Sequence, residues 1–490
     1  MDGEGGTSVP KVSLRIGEKL LSEGSGGVYR HVNPANGRVQ AEVPLAGVSE
    51  VNDAVEAAAA AFEVWRKWPG PQRRDALLKL ADLVQANAAE FARRGSLDNG
   101  TPLAMGGGGP MLFGLWTRYY AGWADKLDGA VGSTFQRDGE FAYSLAEPIG
   151  VIGIIITWNG PMISIGMKVS PALAAGNTVV IKPSELTPFA ADLFGELVRQ
   201  AGIPDGVVNI LPGGIEAGEA LVRHPKVEKI SFTGGPTAAK RIMALCAENL
   251  KPSLHELGGK SANIVFPDAN LETALAFSAT FPLQVLSGQG CALPSRLLVH
   301  QSIYKQAVEM AGAIASSLKL GDPMDPQTAM GPVVTETAAN RIVGMIERAK
   351  SDGAGRLVCG GERAGGALKD GFYIQPTVFA DVDNTSELAQ TEVFGPVLSI
   401  IPFKDEDEAV QIANATQYGL AAFLQTRDIQ RVHRMSERLK AGGIYVNGGS
   451  TIRPNMPFGG LGLSGFGREG GRQGIDEFLR PKTVQIGTFS

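Results

Sequence analysis

Three side chains in this sequence could together run acyl chemistry on a carbonyl compound. Cys291 lies in SGQGCALPSR, Glu256 in LHELGGKSAN and Asn159 in ITWNGP. A cysteine nucleophile needs a thiolate, donors for the oxyanion that forms as sulfur attacks the carbonyl, and a base that lets water release the acyl group. The small residues beside Cys291 let backbone approach a substrate closely. Glu256 stands just before Gly258-Gly259, at a turn between two apolar segments. Asn159 follows a long apolar run and precedes a proline, a strand-end position where ligand sites of open α/β sheets gather. Each residue alone has a plainer explanation: a buried structural cysteine, a solvated glutamate, a turn-forming asparagine. Three cysteines (Cys246, Cys291, Cys359) and five histidines leave no pair at zinc-ligand spacing, so no metal is expected.

The elements that must position these residues begin at Ile149. Short apolar runs there alternate with amphipathic helices: IGVIGIII, TVVIK, VVNIL, VEKISF and SANIVF. That alternation predicts a parallel, doubly wound sheet. The helix after Lys182 should be capped by Thr187, carry Pro188 in its first turn and end before Gly202. Its apolar face is Ala190, Leu193, Phe194, Leu197, Val198 and Ala201, opposite Asp192, Glu196 and Arg199. Upstream, Ser49 reads as the cap of a helix through the alanine-rich Val51 to Trp65 segment. The tail up to about Pro10 reads as disordered. The segment GSTFQRDGEFAYSLAEP alternates polar and apolar residues around Asp138-Gly139, predicting a hairpin suited to subunit contact. A second α/β region, Ser261 to Gly460, adds the buried strands VLSIIPF and GIYVN, and no repeat of fixed period is visible.

With 490 residues, 44% hydrophobic and 19% charged, the chain exceeds the size of a single core, so two or three domains are expected. A net charge of −5 lacks the basic excess that phosphate backbones require, which excludes nucleic acid as a partner. The N-terminal MDGEGGTSVP has acidic residues and glycines where a secretory signal needs basic and apolar ones. The most apolar segment, Ile149 to Ile156, is broken by Gly150 and Gly153 and falls below half the length of a membrane span. No membrane association is expected. Cysteines this few and odd in number form no disulfide framework, and a reducing cytoplasm fits them.

Read together, the motifs resemble the aldehyde dehydrogenase superfamily. The similarity runs from Val32 to Val484 through VNPANG, ITWNGP, AAGNTVVIKPSELTP, GIPDGVVNILPG, ISFTGG, LHELGGKSANIVF, GQGCALPSR, GDPMDPQTAMGP, EVFGPV, YGLAA and PFGGLGLSGFGREGG, all in order. The resemblance implies an NAD-dependent, hydrolytic enzyme that oxidises an aldehyde to an acid. Cys291 is then the nucleophile, and the Asn159 amide with the Cys291 backbone N–H holds the oxyanion. Glu256 activates the hydrolytic water, while Lys168 and Glu469 match positions tied to proton passage and site organisation.

For NAD, the resemblance points to Lys182, Ser184 and Glu185 at the adenosine ribose, where a carboxylate disfavours a 2′-phosphate. It places Phe232, Thr233, Gly234 and Gly235 ahead of a helix N-terminus at the pyrophosphate, Glu392 and Phe394 at the nicotinamide ribose, and Ile156, Thr157, Trp158 and Leu257 along the same site. The fingerprint G-x-G-x-x-G is missing, and Ala239 stands where relatives often have a second glycine. Further departures are Gly462 for lysine, Leu286 for a polar residue and Gly160 for an aromatic. Gly160, Ser164, Met167, Val285, Ile452 and Phe458 match the substrate tunnel. Several of these are smaller than usual, which implies a bulky hydrophobic aldehyde, aromatic, terpenoid or long-chain.

The implied fold is α/β, with two doubly wound domains and a small β bridging element. Residues 1–128 and 148–257 form the NAD-binding domain, 258–474 the catalytic domain, and 129–147 with 475–490 the oligomerisation element, including a strand from Lys482 to Ile486. Its edges imply a homodimer or homotetramer. A CoA-acylating relative is the alternative enzyme, which Glu256 argues against. A catalytically silent binding protein of the same fold is the alternative from another class.

Overall fold

The computed structural model describes residues 8–132, 140–448 and 452–487. Its apolar runs become the parallel centres of two sheets. In the first, β1 (Val151–Ile155), β2 (Thr178–Lys182), β3 (Val208–Ile210), β4 (Val227–Thr233) and β5 (Ser253–Glu256) lie in the order β5-β4-β1-β2-β3. The chain winds outward from β1 to β3, then returns to the far side of β1 to lay down β4 and β5. This puts a topological switch point between β1 and β4. Antiparallel pieces close both edges: Leu14–Ile16 with Lys19–Leu21 beside β3, and Gly465–Phe466 beside β5. Every residue of β1 and β2 is buried, as a strand covered on both faces requires.

The second sheet is centred on β6 (Ala262–Val265), β7 (Arg296–His300), β8 (Val397–Phe403), β9 (Ala421–Gln425) and β10 (Gly443–Val446), in the order β8-β7-β6-β9-β10. Thr377–Ala380 and Arg356–Cys359 extend it beyond β8, the last pairing antiparallel. A third, antiparallel sheet joins Leu479–Ile486 to Phe141–Pro148 over eight paired residues, and then Val131–Gly132. The expected Lys482 to Ile486 strand thus begins three residues earlier, and the expected turn at Asp138-Gly139 lies outside the described residues.

Helices α1 (Val48–Trp65), α2 (Pro161–Ala175), α3 (Pro188–Gln200) and α4 (Pro236–Ala247) cover the first sheet. Ile152, Ile154, Ile165, Leu173 and Phe194 pack on one of its faces, and Ala54, Val180, Ile230 and Ile242 on the other. Each fully buried Leu, Ile or Phe of such a core contributes roughly 1.5–3 kcal/mol.

Helix starts differ from the sequence expectation in an instructive way. The N-cap of α1 is Gly47, not Ser49, and Glu50 reaches back to the Gly47 N–H at 2.8 Å. Thr187 does cap α3, with Pro188 in the first turn and Gly202 left-handed beyond the end. Its hydroxyl makes no cap bond, however. The buried carboxylate of Asp98 instead accepts the Phe189 and Ala190 N–H groups, both at 3.1 Å, so the free donors of the first turn are met by another helix. Asp192, expected on the solvent face of α3, is buried against Arg15 at 3.1 Å and Arg94 at 3.4 Å. The tail is also shorter than expected. Val9 packs against a cluster of Val12, Val43, Leu97 and Phe189.

Among the described residues no helix is long and apolar enough to cross a membrane, and no group of three His, Cys, Asp or Glu could hold a metal ion.

Candidate active site

The chain leaves β1 through Ile156, Thr157, Trp158 and Asn159 and enters α2 at the Gly160 cap, with Pro161 at its first position. The Thr157 hydroxyl donates to Asn159 Oδ1 at 2.6 Å, which fixes the orientation of the amide. Asn159 Nδ2 then donates to the main-chain carbonyl of Gln289 at 2.7 Å. A primary amide has two N–H bonds, so one stays available beside the cysteine loop.

Cys291 lies in that loop, between α5 (Leu271–Gln284) and β7. Burial, then the Glu256 and Glu392 carboxylates, push its thiol far above the usual range, while the backbone N–H groups of Ala292 and Cys291 pull the other way. The approach to Cys291 is close: a Cβ on Gly259 would lie 2.5 Å from the Cys291 carbonyl oxygen. Leu286, Ser287 and Gly288, which lead into the loop, are all left-handed. For the two non-glycines this costs on the order of 1 kcal/mol or more each, and the surrounding contacts must hold it.

Glu256 ends β5, held between Thr233 of β4 and Gly465. Its side chain is 3% exposed and its Oε1 has no hydrogen-bond partner. Burial first and Glu469 second raise its pKa well above the ordinary carboxylate value, opposed by Lys168 and Arg468. A carboxyl group shifted upward is a better proton acceptor near neutrality than an exposed one. Behind it, Lys168 on α2 is buried and donates to Glu469 at 2.5 Å and to Ser231 on β4 at 3.1 Å. Glu469 is held by a two-way backbone bridge to Phe458.

A second carboxylate, Glu392, accepts the Gly259 N–H at 2.9 Å. A Cβ on Gly258 would fall 2.0 Å from Glu392 Oε2, which explains the paired glycines after Glu256. Burial raises Glu392 to about 7 against the Gly259 N–H, Lys260 and Arg341. Arg341 holds the same loop by donating to the Val393 carbonyl at 2.6 Å. Phe394 meets Trp158 edge to face at 5.4 Å, so the β1 exit and the Glu392 loop touch.

Further out, Lys182 at the end of β2 donates to the carbonyls of Gly213 at 2.5 Å and Pro183 at 3.1 Å. Burial lowers its pKa and Glu185 opposes that. Ser184 accepts the Leu186 N–H at 3.2 Å. Phe232 and Thr233 end β4, and the Phe232 ring folds against Gly234. Gly235, the cap of α4, has nothing within 4 Å of where a Cβ would lie, so this turn borders open space. Ala239, one turn into α4, is buried in a cluster with Ile155, Phe232 and Leu257.

Of the expected tunnel residues, Met167 and Phe458 share one apolar cluster with half-buried Ile452 and Cys291. Ser164 is buried and Val285 half-buried. The same cluster holds four aromatics that the sequence reading passed over: Phe281 on Phe277 at 5.0 Å, Phe277 on Phe423 at 5.9 Å, and Phe423 on Tyr445 at 5.4 Å. Phe277 and Phe281 sit four residues apart on the helix leading to Cys291, a spacing that could have revealed them. Gln289 and Arg341 were also missed: Gln289 stands inside the quoted GQGCALPSR motif, but nothing local shows what its amide bonds to, and Arg341 lies in no motif.

Comparisons with known proteins identify the family. The model of the aldehyde dehydrogenase family matches residues 21–484. An aldehyde dehydrogenase from Enchytraeus buchholzi is 42% identical over 480 residues, 96% of this chain and 95% of the relative. Human retinal dehydrogenase 2 is 41% identical over 480 residues, 96% of this chain and 91% of that protein. The NAD+ complex of an aldehyde dehydrogenase from Bacillus cereus superposes with a TM-score of 0.94 at 36% identity, covering 97% of this chain and 96% of the other. The chain belongs to the aldehyde dehydrogenase family.

Proposed function

We propose that this protein oxidises an aldehyde to the carboxylic acid with NAD, through a thioester on Cys291. The observation that carries the reading is the junction of three chain segments: the Asn159 amide bonded to the cysteine loop, Gly259 packed on the Cys291 carbonyl, and the unpartnered Glu256 carboxyl two residues before the paired glycines.

Residues present fit the dinucleotide. The open turn at Gly235 before the α4 N-terminus suits a pyrophosphate, with Phe232, Thr233 and Gly234 forming its approach. Lys182, Ser184 and Glu185 would hold the adenosine ribose, Glu392 and Phe394 the nicotinamide ribose, and Ile156, Thr157, Trp158 and Leu257 would line the way between. Glu185 there favours NAD over NADP, because it accepts from ribose hydroxyls and repels a 2′-phosphate. When bound, NAD supplies the hydride acceptor.

As its proton passes to solvent water, Cys291 Sγ forms a bond to the carbonyl carbon, and the π pair moves to oxygen, where the second Asn159 N–H and the Cys291 backbone N–H receive it. The resulting thiohemiacetal loses its C–H hydride and leaves a thioester on sulfur. Glu256 then takes a proton from water as that water attacks the thioester, releasing the acid and restoring the thiol. Lys168 and Glu469, hydrogen-bonded to each other and buried behind Glu256, are the groups to which we assign proton passage and site organisation.

The substrate class we assign is a bulky hydrophobic aldehyde, aromatic, terpenoid or long-chain. Gly160, Ser164, Val285 and Ile452 are small or aliphatic, and the aromatic series from Phe281 to Tyr445 lies in the cluster that includes Cys291. NADH formation across aldehydes of increasing size tests this, since each added buried methylene is worth roughly 0.8 kcal/mol. A rising kcat/KM supports it, and acetaldehyde or betaine aldehyde as best substrate refutes it.

We assign the first sheet to an NAD-binding domain of residues 1–128 and 148–257, the second to a catalytic domain of 258–474, which also lends the first sheet its edge strand Gly465–Phe466, and the third to an oligomerisation element of 129–147 and 475–490. The third sheet exposes Val131, Phe141, Leu145 and Ile486, an apolar surface suited to a homodimer or homotetramer. A monomer by light scattering at micromolar concentration contradicts this. The three free cysteines suit a cytoplasmic location.

A further inference from the structure

Gln289 stands two residues before Cys291 and is 3% exposed. Its side chain spans two pieces of backbone: Nε2 donates to the Leu286 carbonyl at 3.0 Å, and Oε1 accepts the Val334 N–H at 3.1 Å. Its own carbonyl is the acceptor that orients the Asn159 amide. The turn it closes, Leu286, Ser287 and Gly288, has φ of 52°, 52° and 73°. A left-handed turn containing two non-glycines persists only where its surroundings hold it. Ser287 Oγ donates to the Gly331 carbonyl at 2.8 Å, and a Cβ on Gly288 would lie 2.2 Å from Gly395, so the middle of the turn is pinned as well. The Gln289 amide ties the start of the turn to the segment at Val334.

We infer that Gln289 is a positioning residue for the oxyanion donor: by bracing this strained turn it holds its carbonyl where the Asn159 amide must bond, which aims the second amide N–H at the substrate oxygen. The inference rests on the oxyanion role proposed for Asn159. The small cavity beside it is walled by Asn99, Thr101, Trp158, Asn159, Ser287 and Pro332 and has no charged side chain; Cys291 follows Gln289 two residues later, with Glu256 and Glu392 the carboxylates that act on its thiol.

Acylation of Cys291 by p-nitrophenyl acetate tests this without a hydride step: sulfur displaces p-nitrophenolate through the same oxyanion. The burst rate is measured for the full-length native protein, Gln289→Ala, Gln289→Glu, Asn159→Ala and the Asn159→Ala/Gln289→Ala double variant, with NADH affinity as a check on the rest of the site. Gln289→Ala should slow the burst by about thirtyfold, less than the roughly hundredfold or more that outright loss of one oxyanion donor costs, because the Asn159 amide stays and is only misaimed, and should leave NADH affinity within about threefold. The double variant should be no slower than Asn159→Ala. Gln289→Glu adds a pH signature. A protonated carboxyl can both donate to Leu286 and accept from Val334, whereas the carboxylate loses the donor, and burial raises the pKa at which this happens. Its rate relative to the native protein at the same pH should approach one in acid and fall as pH rises. A native burst in Gln289→Ala, additive losses in the double variant, or equal losses of burst rate and NADH affinity would each overturn the role of Gln289. A native burst in Asn159→Ala would instead overturn the oxyanion assignment itself, and this role with it.

Discussion

The two large sheets serve the site from opposite ends. The first presents the C-terminal ends of its strands: Asn159 after β1, Lys182 at the end of β2, Gly234 after β4 and Glu256 at the end of β5. The second presents N-terminal ends: Gly258 to Lys260 before β6, Cys291 before β7 and Glu392 to Pro396 before β8. The rule that ligands gather beyond the carboxyl ends of parallel strands therefore locates only half of this site. The other half is a set of entry loops whose carbonyls and N–H groups are committed to each other and to the first sheet, as in the bonds from Gly259 to Glu392 and from Asn159 to Gln289. In the function proposed above, the first sheet would supply end-of-strand positions for a dinucleotide and a base, and the second the nucleophile on a braced loop.

If this division is right, damage to the second sheet's loops should remove chemistry while sparing the dinucleotide. Cys291→Ala should cut dehydrogenase turnover by at least about a thousandfold and leave NADH affinity within about threefold, measured by fluorescence titration. Substantial turnover in this variant would end the assignment. Glu256→Gln attacks the first sheet's contribution to the same reaction. It should lower steady-state turnover by about a hundredfold, yet a rapid-quench experiment should still show close to one equivalent of NADH in the first turnover. A first turnover slowed as much as the steady state would place Glu256 earlier in the reaction.

Two smaller effects probe the seam between the sheets. Gly258→Ala puts a methyl group where Glu392 Oε2 now lies, 2.0 Å away, and should weaken NADH binding about tenfold, or 1.4 kcal/mol, without changing the rate of Cys291 acylation. The weakest expected effect is one of pH. Glu392 is an acid raised by burial to about 7, so it is mostly ionised above that pH and mostly neutral below it. Ribose hydroxyls donate better to a carboxylate than to a neutral acid. NADH affinity should therefore fall several-fold between about pH 8 and pH 6, and Glu392→Gln should flatten that profile. A profile unchanged by the substitution would assign the titration elsewhere.

The strands were legible in the sequence, because β1 and β2 are short, almost wholly apolar runs and β4, β6 and β8 are apolar runs with few polar interruptions, each set off from the next by a helical stretch. Helix starts were less so. The cap of α1 was misplaced because a glycine leaves no polar signature and the bond comes from Glu50. The cap of α3 was assigned to the right residue, but Asp98, 91 positions upstream of Phe189, makes the bonds. Local sequence shows a cap's own side chain and cannot show a carboxylate brought from another helix.

The sequence by itself determined which side chains could react and which motifs surround them, because those are matters of residue type and near-neighbour spacing. Only the tertiary structure decided their state. Glu256 is raised because packing strips it of water and sets Glu469 beside it, and Glu469 in turn is paired to a lysine 301 positions away. The Cys291 thiol is pushed upward by desolvation first and then by two carboxylates from distant parts of the chain, Glu256 at the end of β5 and Glu392 in the loop before β8. The Asn159 amide is aimed by a carbonyl 130 residues downstream. Desolvation and hydrogen-bond direction depend on distances in space, and folding alone sets those for groups so far apart in the chain.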